Sequence, residues 1–269
     1  MNKSIFLMAV ASVSLVGQAA VPVVSNVEFT QNRSTREVTV RYKLSSVPAI
    51  VTVDFETNYV ENAETKWASI GAENIRNVTG DAFVEIAAAK ETYSISWRPD
   101  VSSPGEKLPV GSIRAVVTAH DLCDAPDYMT VMLSASATPQ VRYFTCAEAV
   151  PGGVTNSEYK LSSLLMRRIH AKNVIFPMGS VAEDGVDAPL HPAKLDDDYY
   201  VAVYPITQSQ WNAVKGSNPS YFHKTDWPMR PVETVSYARI RMASGDSADV
   251  AYDWPNAPHP DSFLGKLRA

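Results

Sequence analysis

Glu37-Val-Thr-Val-Arg-Tyr-Lys-Leu44 alternates apolar and polar side chains along its whole length. In an extended chain Val38, Val40, Tyr42 and Leu44 lie on one face, and the charged and hydroxyl-bearing residues between them lie on the other. A strand that covers a core with one face and meets solvent with the other has this period of two. The stretch therefore predicts a half-buried strand of an antiparallel sheet.

The segments on either side repeat this pattern at short intervals. Alternating stretches, separated by turn residues, occur at Val23 to Thr30, Ile50 to Glu56, Phe83 to Ala87, Tyr93 to Trp97, Ile113 to Ala119 and Tyr128 to Leu133. Closely spaced short strands of this kind are typical of a sandwich of two antiparallel sheets, as in immunoglobulin and fibronectin-III domains. We therefore predict such a β-sandwich over residues 21–137.

Two tryptophans of this region, Trp67 and Trp97, are candidates either for a ligand platform or for the space between the sheets. Large aromatic side chains in small sandwiches usually fill the core, so we predict that both pack there. The region has no clustered His, Asp or Glu residues that would point to chemistry. Its expected role is that of a spacer, a docking surface or an adhesion-like unit.

Composition places the chain among folded proteins with ordinary cores. Its 269 residues leave room for two modest domains, and 45% of them are hydrophobic while 20% are charged. The formal charge is −5 and no run of Lys or Arg occurs. Because nucleic-acid-binding proteins present a basic stripe or patch, we expect no nucleic-acid partner.

The first residues have the pattern of an export signal. A basic start at Lys3 precedes an apolar run from Ile5 to Val16, and the small residues Gly17, Ala19 and Ala20 follow. This run is shorter than the roughly 20 apolar residues that a membrane-spanning helix needs. We predict a signal peptide over residues 1–20, an exported protein (periplasmic, cell-surface or secreted) and no membrane span after its removal.

The chain has two cysteines, Cys123 and Cys146. In an exported protein an even number of cysteines permits a disulfide, which here would close a loop across the junction between the two modules. Two unpaired thiols are an equal alternative, and the sequence leaves both open. Neither cysteine belongs to a C-x-x-C pattern or to a Cys/His cluster, so the sequence does not support metal ligation by thiolates.

The pattern changes between Thr138 and Asn173. Pro139 and Pro151-Gly-Gly153 interrupt it, and Leu161 to Ile169 has apolar spacing that fits either a helix or a strand. Because this segment is not Gly/Ser-rich, we expect residues 138–172 to be a connector that docks onto the following module rather than a free linker.

Five motifs follow in order: Phe176-Pro-Met-Gly-Ser180, Pro189-Leu-His-Pro192, Asp197-Asp-Tyr-Tyr-Val-Ala-Val-Tyr-Pro-Ile-Thr-Gln-Ser-Gln-Trp211, Gly216-Ser-Asn-Pro-Ser-Tyr-Phe222 and Arg230-Pro-Val-Glu-Thr-Val-Ser-Tyr237. Together they resemble the formylglycine-generating-enzyme, or sulfatase-modifying-factor, family, whose fold is like that of a C-type lectin. The resemblance implies that residues 173–269 form the front part of such a domain. The expected fold class is therefore mainly β plus α+β: an antiparallel β-sandwich followed by a truncated C-type-lectin-like domain.

The resemblance implies a structural role for the motif residues that match the family. These are Met178, Gly179, His191, Thr207, Gln210, Trp211, Asn218, Pro219, Ser220, Phe222, Pro231, Val232 and Ser236. Independently, Thr207-Gln-Ser-Gln210 has the pattern of a capping box, which predicts a helix that starts there and ends at Gly216. Trp211 and Val214 would face a core, and Ser236 would cap a second helix.

The motif region is also rich in aromatic residues, at Tyr199, Tyr200, Tyr204, Trp211, Tyr221, Phe222, Trp227 and Tyr237. A sugar- or peptide-binding surface is one interpretation, but we predict that these rings hold the core of a domain with little regular structure. The run Asp196-Asp-Asp198 lacks the alternate-position ligands of a calcium loop, and we predict a solvated turn there.

Enzymes of the family oxidise a cysteine of a sulfatase to formylglycine, using oxygen and copper held by two thiolates, and relatives in the superfamily use iron held by histidines. Others are binding modules. The resemblance thus implies copper or iron for a full-length enzyme, and a sulfatase-type protein or an extracellular ligand as the partner.

In the family's enzymes the reactive residues follow an R-L-P-T-E-A-E-W-E segment, which this sequence lacks, and its last cysteine is Cys146. We therefore expect no catalytic, cofactor-binding or metal-ligating residues in this chain. Three functions stay open: the non-catalytic front of an oxidase, an exported recognition module, or a working sandwich with an idle second module.

These expectations give a first prediction. Incubated with copper, oxygen and a cysteine-containing sulfatase peptide, the chain should form no formylglycine above a reaction without protein, because a copper site needs soft thiolate ligands that the motif region does not supply. Mass spectrometry of the peptide measures the product. Turnover above that background would contradict the prediction.

Overall fold

The computed structural model describes residues 21–99, 113–134, 139–179, 189–223, 227–242, 250–253 and 256–268. The predicted signal peptide, residues 1–20, lies outside them. The described chain is predominantly β, with antiparallel pairing between its strands, so the expected mainly β class is confirmed. None of its helices has the length and apolar content needed to span a membrane.

In chain order the strands are β1 (Val24–Asn32), β2 (Glu37–Leu44), β3 (Ala49–Glu61), β4 (Glu64–Ser69), β5 (Val78–Gly80), β6 (Val84–Ile86), β7 (Tyr93–Trp97), β8 (Ile113–His120), β9 (Tyr128–Met132), β10 (Gln140–Phe144), β11 (Ser163–Ile169), β12 (Ile175–Met178), β13 (His191–Lys194) and β14 (Tyr199–Ala202). The α-helices are α1 (Gln208–Lys215), α2 (Tyr237–Arg241) and α3 (Phe263–Arg268).

Two antiparallel sheets face each other across a first apolar core. One has the order β1-β2-β7-β5, and in the other β3 pairs with β4 and β6 along one edge and with β8 along the opposite edge. The strand predicted at Glu37–Leu44 forms with those bounds, and its apolar face is buried. Between the sheets Trp97 stacks on Phe55 with ring centroids 4.0 Å apart, as expected for a core aromatic.

Trp67 does not share that position. It lies on β4 with its side chain half-buried, and the guanidinium of Arg114 sits 4.4 Å from its ring centroid. Arg114 also pairs with Glu56 at 2.6 Å. The prediction that Trp67 packs in the core is therefore wrong, because β4 extends along the outer part of β3, where a cation rather than the opposite sheet covers the ring.

A third sheet, with the order β10-β9-β11-β14, joins segments that the sequence had assigned to three different regions. β9 comes from the predicted sandwich, β10 and β11 from the predicted connector, and β14 from the motif region. Val131 pairs with Leu164, and Met166 pairs with Ala202. The predicted connector, residues 138–172, thus supplies an edge strand, β10, and an interior strand, β11, of this sheet.

The two faces of this third sheet serve different cores. Leu165 and Phe144 belong to the first core, between the sandwich sheets and the third sheet. Leu164 and Val131 point the other way and form a second core with Trp211. Phe263 completes this second core by stacking on Trp211, with ring centroids 4.7 Å apart and planes inclined by only 4°. Successive residues of a strand point to opposite faces, so one strand contributes to both cores.

Arg168, near the end of β11, is 7% exposed and bonds to several segments at once. Its guanidinium donates to the carboxylates of Asp198 at 2.7 Å and Asp124 at 3.0 Å, and to the carbonyl oxygens of Cys123 and Ala125. A buried cation is tolerated when carboxylates and carbonyls satisfy its donors in this way. The network ties the segment after β8 to the start of the motif region.

Asp198 consequently differs from its neighbours Asp196 and Asp197, whose side chains are exposed as predicted for a solvated turn. The backbone N–H of Lys172 and the guanidinium of Arg168 hold the pKa of the Asp198 carboxyl below its ordinary value. A folded-state pKa below the unfolded one stabilises the fold near neutral pH, and that contribution is lost as the pH falls through the folded value.

Leu165 tests whether β11, which lies beyond the predicted sandwich, contributes to the first core. Leu165→Ala should lower the free energy of unfolding by about 2 to 5 kcal/mol, because the side chain is 2% exposed and its loss leaves a cavity in the first core. Urea unfolding followed by circular dichroism measures the change. Met132→Ala, at a position 54% exposed, is the control and should stay within about 0.5 kcal/mol. Equal stability of wild type and Leu165→Ala would contradict the shared core.

Candidate functional site

The predicted capping box is present at the start of α1. The hydroxyl of Thr207 accepts from the backbone N–H of Gln210 at 3.2 Å, and the side-chain oxygen of Gln210 accepts from the N–H of Thr207 at 2.9 Å. The helix ends at Gly216, whose φ of 70° lies in the left-handed region that glycine adopts without strain. Trp211 and Val214 are buried, as their spacing predicts.

Gln210 also anchors α1 to the third sheet. Its side-chain amide is 1% exposed and donates to the carbonyl oxygens of Tyr159 and Ser163, at 2.8 Å in each case. The hydroxyl of Thr207 donates to the carbonyl oxygen of Lys160 at 2.8 Å. These bonds satisfy carbonyls just before and at the start of β11, so the helix is held in one position against that strand.

Gln208 brings three motifs together. Its amide nitrogen donates to the carbonyl oxygens of Phe222 at 3.2 Å and Pro231 at 3.4 Å, and its amide oxygen accepts from the side chain of Asn218 at 2.9 Å. The backbone of Val232 donates to the carbonyl of Ile206 at 2.8 Å. The later motifs therefore form one hydrogen-bonded unit around the first turn of α1.

The loop that follows α1 is fixed from its other side by Glu233. The hydroxyl of Ser220 accepts from the backbone N–H of Glu233 at 3.1 Å, and the Glu233 carboxylate accepts from the N–H of Phe222 at 2.9 Å. Asn218 accepts from the N–H of Ser220 at 3.1 Å, the turn bond that the Asn-Pro sequence predicts, while Pro219 is half-buried between them. Ser236 caps α2 by accepting from the N–H of Arg239 at 3.3 Å.

The two earlier motifs lie apart from this unit. Met178 of β12 pairs with His191 of β13, and the two strands form a separate two-stranded sheet. Met178 is 55% exposed, His191 is exposed with its Nδ1 2.7 Å from the carbonyl oxygen of Pro189, and Gly179 has a φ of 100°. The structure therefore does not bring Met178, Gly179 and His191 to the residues around α1.

The motif aromatics divide in the same way. Trp211 is buried, whereas Tyr221 and Phe222 are 74% and 63% exposed, Tyr237 is 52% exposed and Tyr199 is 44% exposed. The prediction that such rings hold the core is right for Trp211 and wrong for these four exposed rings. The loop is anchored through its backbone to Gln208 and Glu233, which leaves the side chains of Tyr221 and Phe222 pointing outward.

An apolar groove lies between the third sheet and the helices, with a volume of about 570 Å³. One face of the sheet forms its floor, through Met129, Val131, Val141, Leu164 and Met166. The side chains of Ile206, Trp211, Ile240, Leu264 and Leu267 are among those that line the remaining walls. The lining contains no charged, hydroxyl or amide side chain, so the groove favours apolar groups. Val131, Leu164, Trp211 and Phe263 of the second core belong to this lining.

The two cysteines, which the sequence analysis considered for a disulfide or a metal site, lie apart from each other. Cys123 is exposed and Cys146 is half-buried, both are free thiols, and they line different pockets, so the disulfide that the sequence left open is not formed. Within the described ranges no group of three or more His, Cys, Asp or Glu side chains is placed to hold a metal ion. The Nδ1 atom of His223 lies within hydrogen-bonding distance, 2.6 Å, of the carbonyl oxygen of Ser220.

The chain matches no family model, no curated protein and no solved structure. Its function is therefore inferred from the groove and from the hydrogen-bonded unit around the first turn of α1. Sequence reasoning missed the groove, although its floor follows the alternating residues of Tyr128 to Leu133 and of Leu161 to Ile169. That alternation shows which side chains share a face, but not which face another element leaves uncovered.

The hydrogen bonds of the Gln210 side chain, which hold α1 against the third sheet, give a testable prediction. Gln210→Leu should lower the free energy of unfolding by about 3 kcal/mol, because it leaves the buried carbonyls of Tyr159 and Ser163 without a donor. Asn212→Leu, at an exposed position of the same helix, is the matched control and should change it by about 0.5 kcal/mol or less. Thermal and urea unfolding measure both, and similar stabilities of the two variants would contradict the assignment.

Proposed function

We propose that this chain is an exported recognition module of the formylglycine-generating-enzyme family, in which the motif residues build a scaffold and the apolar groove binds the ligand. The groove carries the proposal. Binding sites for small or extended ligands are concave and mainly apolar, with volumes of about 300 to 1,000 Å³. The groove of about 570 Å³ meets both conditions.

The family assignment is supported by the motifs and by their arrangement. Five of them occur in the family's order, and Gln208 joins the last three through its bonds to Asn218, Phe222 and Pro231. In this proposal the two facing sheets are an immunoglobulin- or fibronectin-III-type sandwich that presents a lectin-like module at a surface. In this proposal the partner is an extracellular ligand with apolar groups that the groove can enclose.

The residues present do not fit the family's metal chemistry. Copper in those enzymes needs a pair of thiolates, but Cys123 and Cys146 line separate pockets, away from the groove. Histidines do not converge either: His223 bonds the Ser220 carbonyl, His259 stacks edge-on against Tyr252, and His191 lies in the separate hairpin. We therefore assign no step of an oxidation to this chain.

Binding of the neutral fluorophore N-phenyl-1-naphthylamine tests the proposed function. The wild-type chain should enhance its fluorescence saturably, because the dye's rings fit an apolar site and carry no charge. Leu267→Glu should weaken binding by at least about 10-fold, since it places a carboxylate in the groove wall. Fluorescence titration gives both dissociation constants.

Leu190→Glu is the matched control. Leu190 is 52% exposed next to β13, so the same change in charge there should leave dye binding unaltered. Circular dichroism establishes that both variants keep the β-rich fold. Absence of saturable binding to the wild type, or equal binding by wild type and a folded Leu267→Glu, would refute the groove as the ligand site.

A further inference from the structure

A second cleft lies where the edges of two sheets approach each other. β5 is the last strand of its sheet, and β10 is the last strand of the third sheet. The cleft between them has a volume of about 360 Å³ and is lined by residues 78–80 and 140–142, together with Ala82 and Val84. We call it the edge cleft. Val141 alone of these residues also lines the apolar groove, so the two sites are separate.

The free edge of β5 presents backbone carbonyls to this cleft. Asp81 donates its N–H to the carbonyl of Ser94 in β7 at 2.9 Å, and the carbonyl of Gly80 points the opposite way because the C=O and N–H of a trans peptide are antiparallel. The carbonyl of Val78 also points away from β7, since it accepts from Arg142 at 3.0 Å. Among the described residues, none donates to the outward carbonyl of Gly80.

The facing edge of β10 is also open. The backbone N–H of Tyr143 points away from β9 and donates to the carbonyl of Phe83 at 2.8 Å. Successive residues of a strand direct their backbone groups to opposite sides, so Val141 presents its N–H and C=O to the cleft as Tyr143 does to Phe83. An extended peptide has donors and acceptors with the same alternation, and open strand edges bind such peptides.

Arg142 supplies a positive charge to the lining of the cleft. Its side chain is half-buried, and its guanidinium lies 5.7 Å from the centroid of the Phe83 ring. The guanidinium donates to the carbonyl of Val78, and within the described part of the chain it forms no ion pair. Burial lowers the pKa of Arg142, and no carboxylate offsets that effect. A guanidinium has five N–H donors, so most of them stay available to a ligand.

Other arginines that are withdrawn from water have carboxylate partners. Arg114 pairs with Glu56 at 2.6 Å, and Arg168 pairs with Asp198 at 2.7 Å. A carboxylate satisfies the guanidinium with short, charge-assisted hydrogen bonds. The edge cleft is therefore complementary in charge to an acidic side chain that comes from outside the chain.

We propose that the edge cleft binds an extended acidic peptide segment of a partner protein, which adds as a strand along β5 and places a carboxylate side chain against Arg142. The backbone groups fix the extended conformation of the peptide, and Arg142 selects its charge. A small anion would use Arg142 but leave the strand edge unpaired. The site lies apart from the apolar groove, so the inference does not depend on the proposed function.

Fluorescence anisotropy with two labelled peptides tests the inference on the full chain. The peptides Thr-Val-Glu-Val-Thr and Thr-Val-Lys-Val-Thr have blocked termini and carry the same tetramethylrhodamine label. The Glu peptide should bind saturably and at least about 10-fold more tightly than the Lys peptide, because its carboxylate bonds Arg142. The net charge of the chain, −5, favours the Lys peptide, so a non-specific electrostatic effect would give the opposite order and overturn the inference.

Substitution of Arg142 identifies the charge-selecting group. Arg142→Gln should weaken binding of the Glu peptide at least about 10-fold, whereas Arg142→Lys, which keeps the charge, should retain the preference for Glu over Lys. Arg41→Gln changes the net charge equally on the exposed face of β2 and should bind as the wild type does. Circular dichroism establishes that each variant is folded. Equal affinity of wild type and a folded Arg142→Gln for the Glu peptide would contradict the assignment.

Backbone methylation tests the strand pairing without any change to the protein. A peptide that adds to one sheet edge bonds through alternate residues. N-methylation of the two valines, or of the Glu and the last Thr, therefore removes either the paired or the unpaired N–H groups. One pattern should weaken binding at least about 10-fold while the other stays within about 3-fold. Equal effects of the two patterns would exclude strand addition.

Other occupants of the edge cleft give different results. If glutarate displaces the labelled Glu peptide at the same concentration as the unlabelled peptide does, the site takes a small anion and the inference is wrong. If the wild type sediments as a dimer that Arg142→Gln converts to a monomer, a second copy of the chain is the occupant and the partner peptide is wrong. Absence of saturable peptide binding also refutes the inference, but it leaves dye binding in the apolar groove, and with it the proposed function, untouched.

Discussion

The pairing of β11 between β9 and β14 is the interaction on which the rest of the structure depends. Because side chains alternate along a strand, Leu165 enters the core under the sandwich while Leu164 enters the core under the helices. One strand thus supplies adjacent residues to two cores. Arg168, near the end of the same strand, adds charged hydrogen bonds to Asp124 and Asp198, which fix the segments before β9 and β14. β11 therefore links the first core to the second.

The helices are positioned by amide side chains as well as by apolar packing. Gln210 bonds carbonyls at the start of the central strand, and Gln208 bonds the two loops that flank α1. Such buried amides are fully used, so they define one orientation of the helix instead of a range of orientations. Trp211 and Phe263 stack on each other in the space between sheet and helices. The groove occupies the same space, and Leu264 and Leu267 of α3 form part of its wall.

Local patterns were reliable where neighbouring residues alone decide the structure. The strands at Glu37–Leu44 and Tyr93–Trp97 and the capping box at Thr207 follow from alternation and from bonds that span only a few residues. Tyr221 and Phe222 show the limit of this reasoning. An aromatic residue is usually buried, but their loop is held by its backbone, so their rings face solvent. Trp67 is similar, since a cation covers it in place of a facing sheet.

By itself the sequence determined the mainly β class, about half of the strand positions, the first turn of α1 and a set of motifs that resemble one family. Those features depend on side-chain periodicity and on hydrogen bonds between near neighbours, which a sequence displays directly. Only the tertiary structure decided that Tyr128–Met132 and Ser163–Ile169 share a sheet, that the cysteines lie in separate pockets, and that an apolar groove lies between the third sheet and the helices. These depend on which distant surfaces cover one another, and burial between distant segments leaves no local periodicity to read.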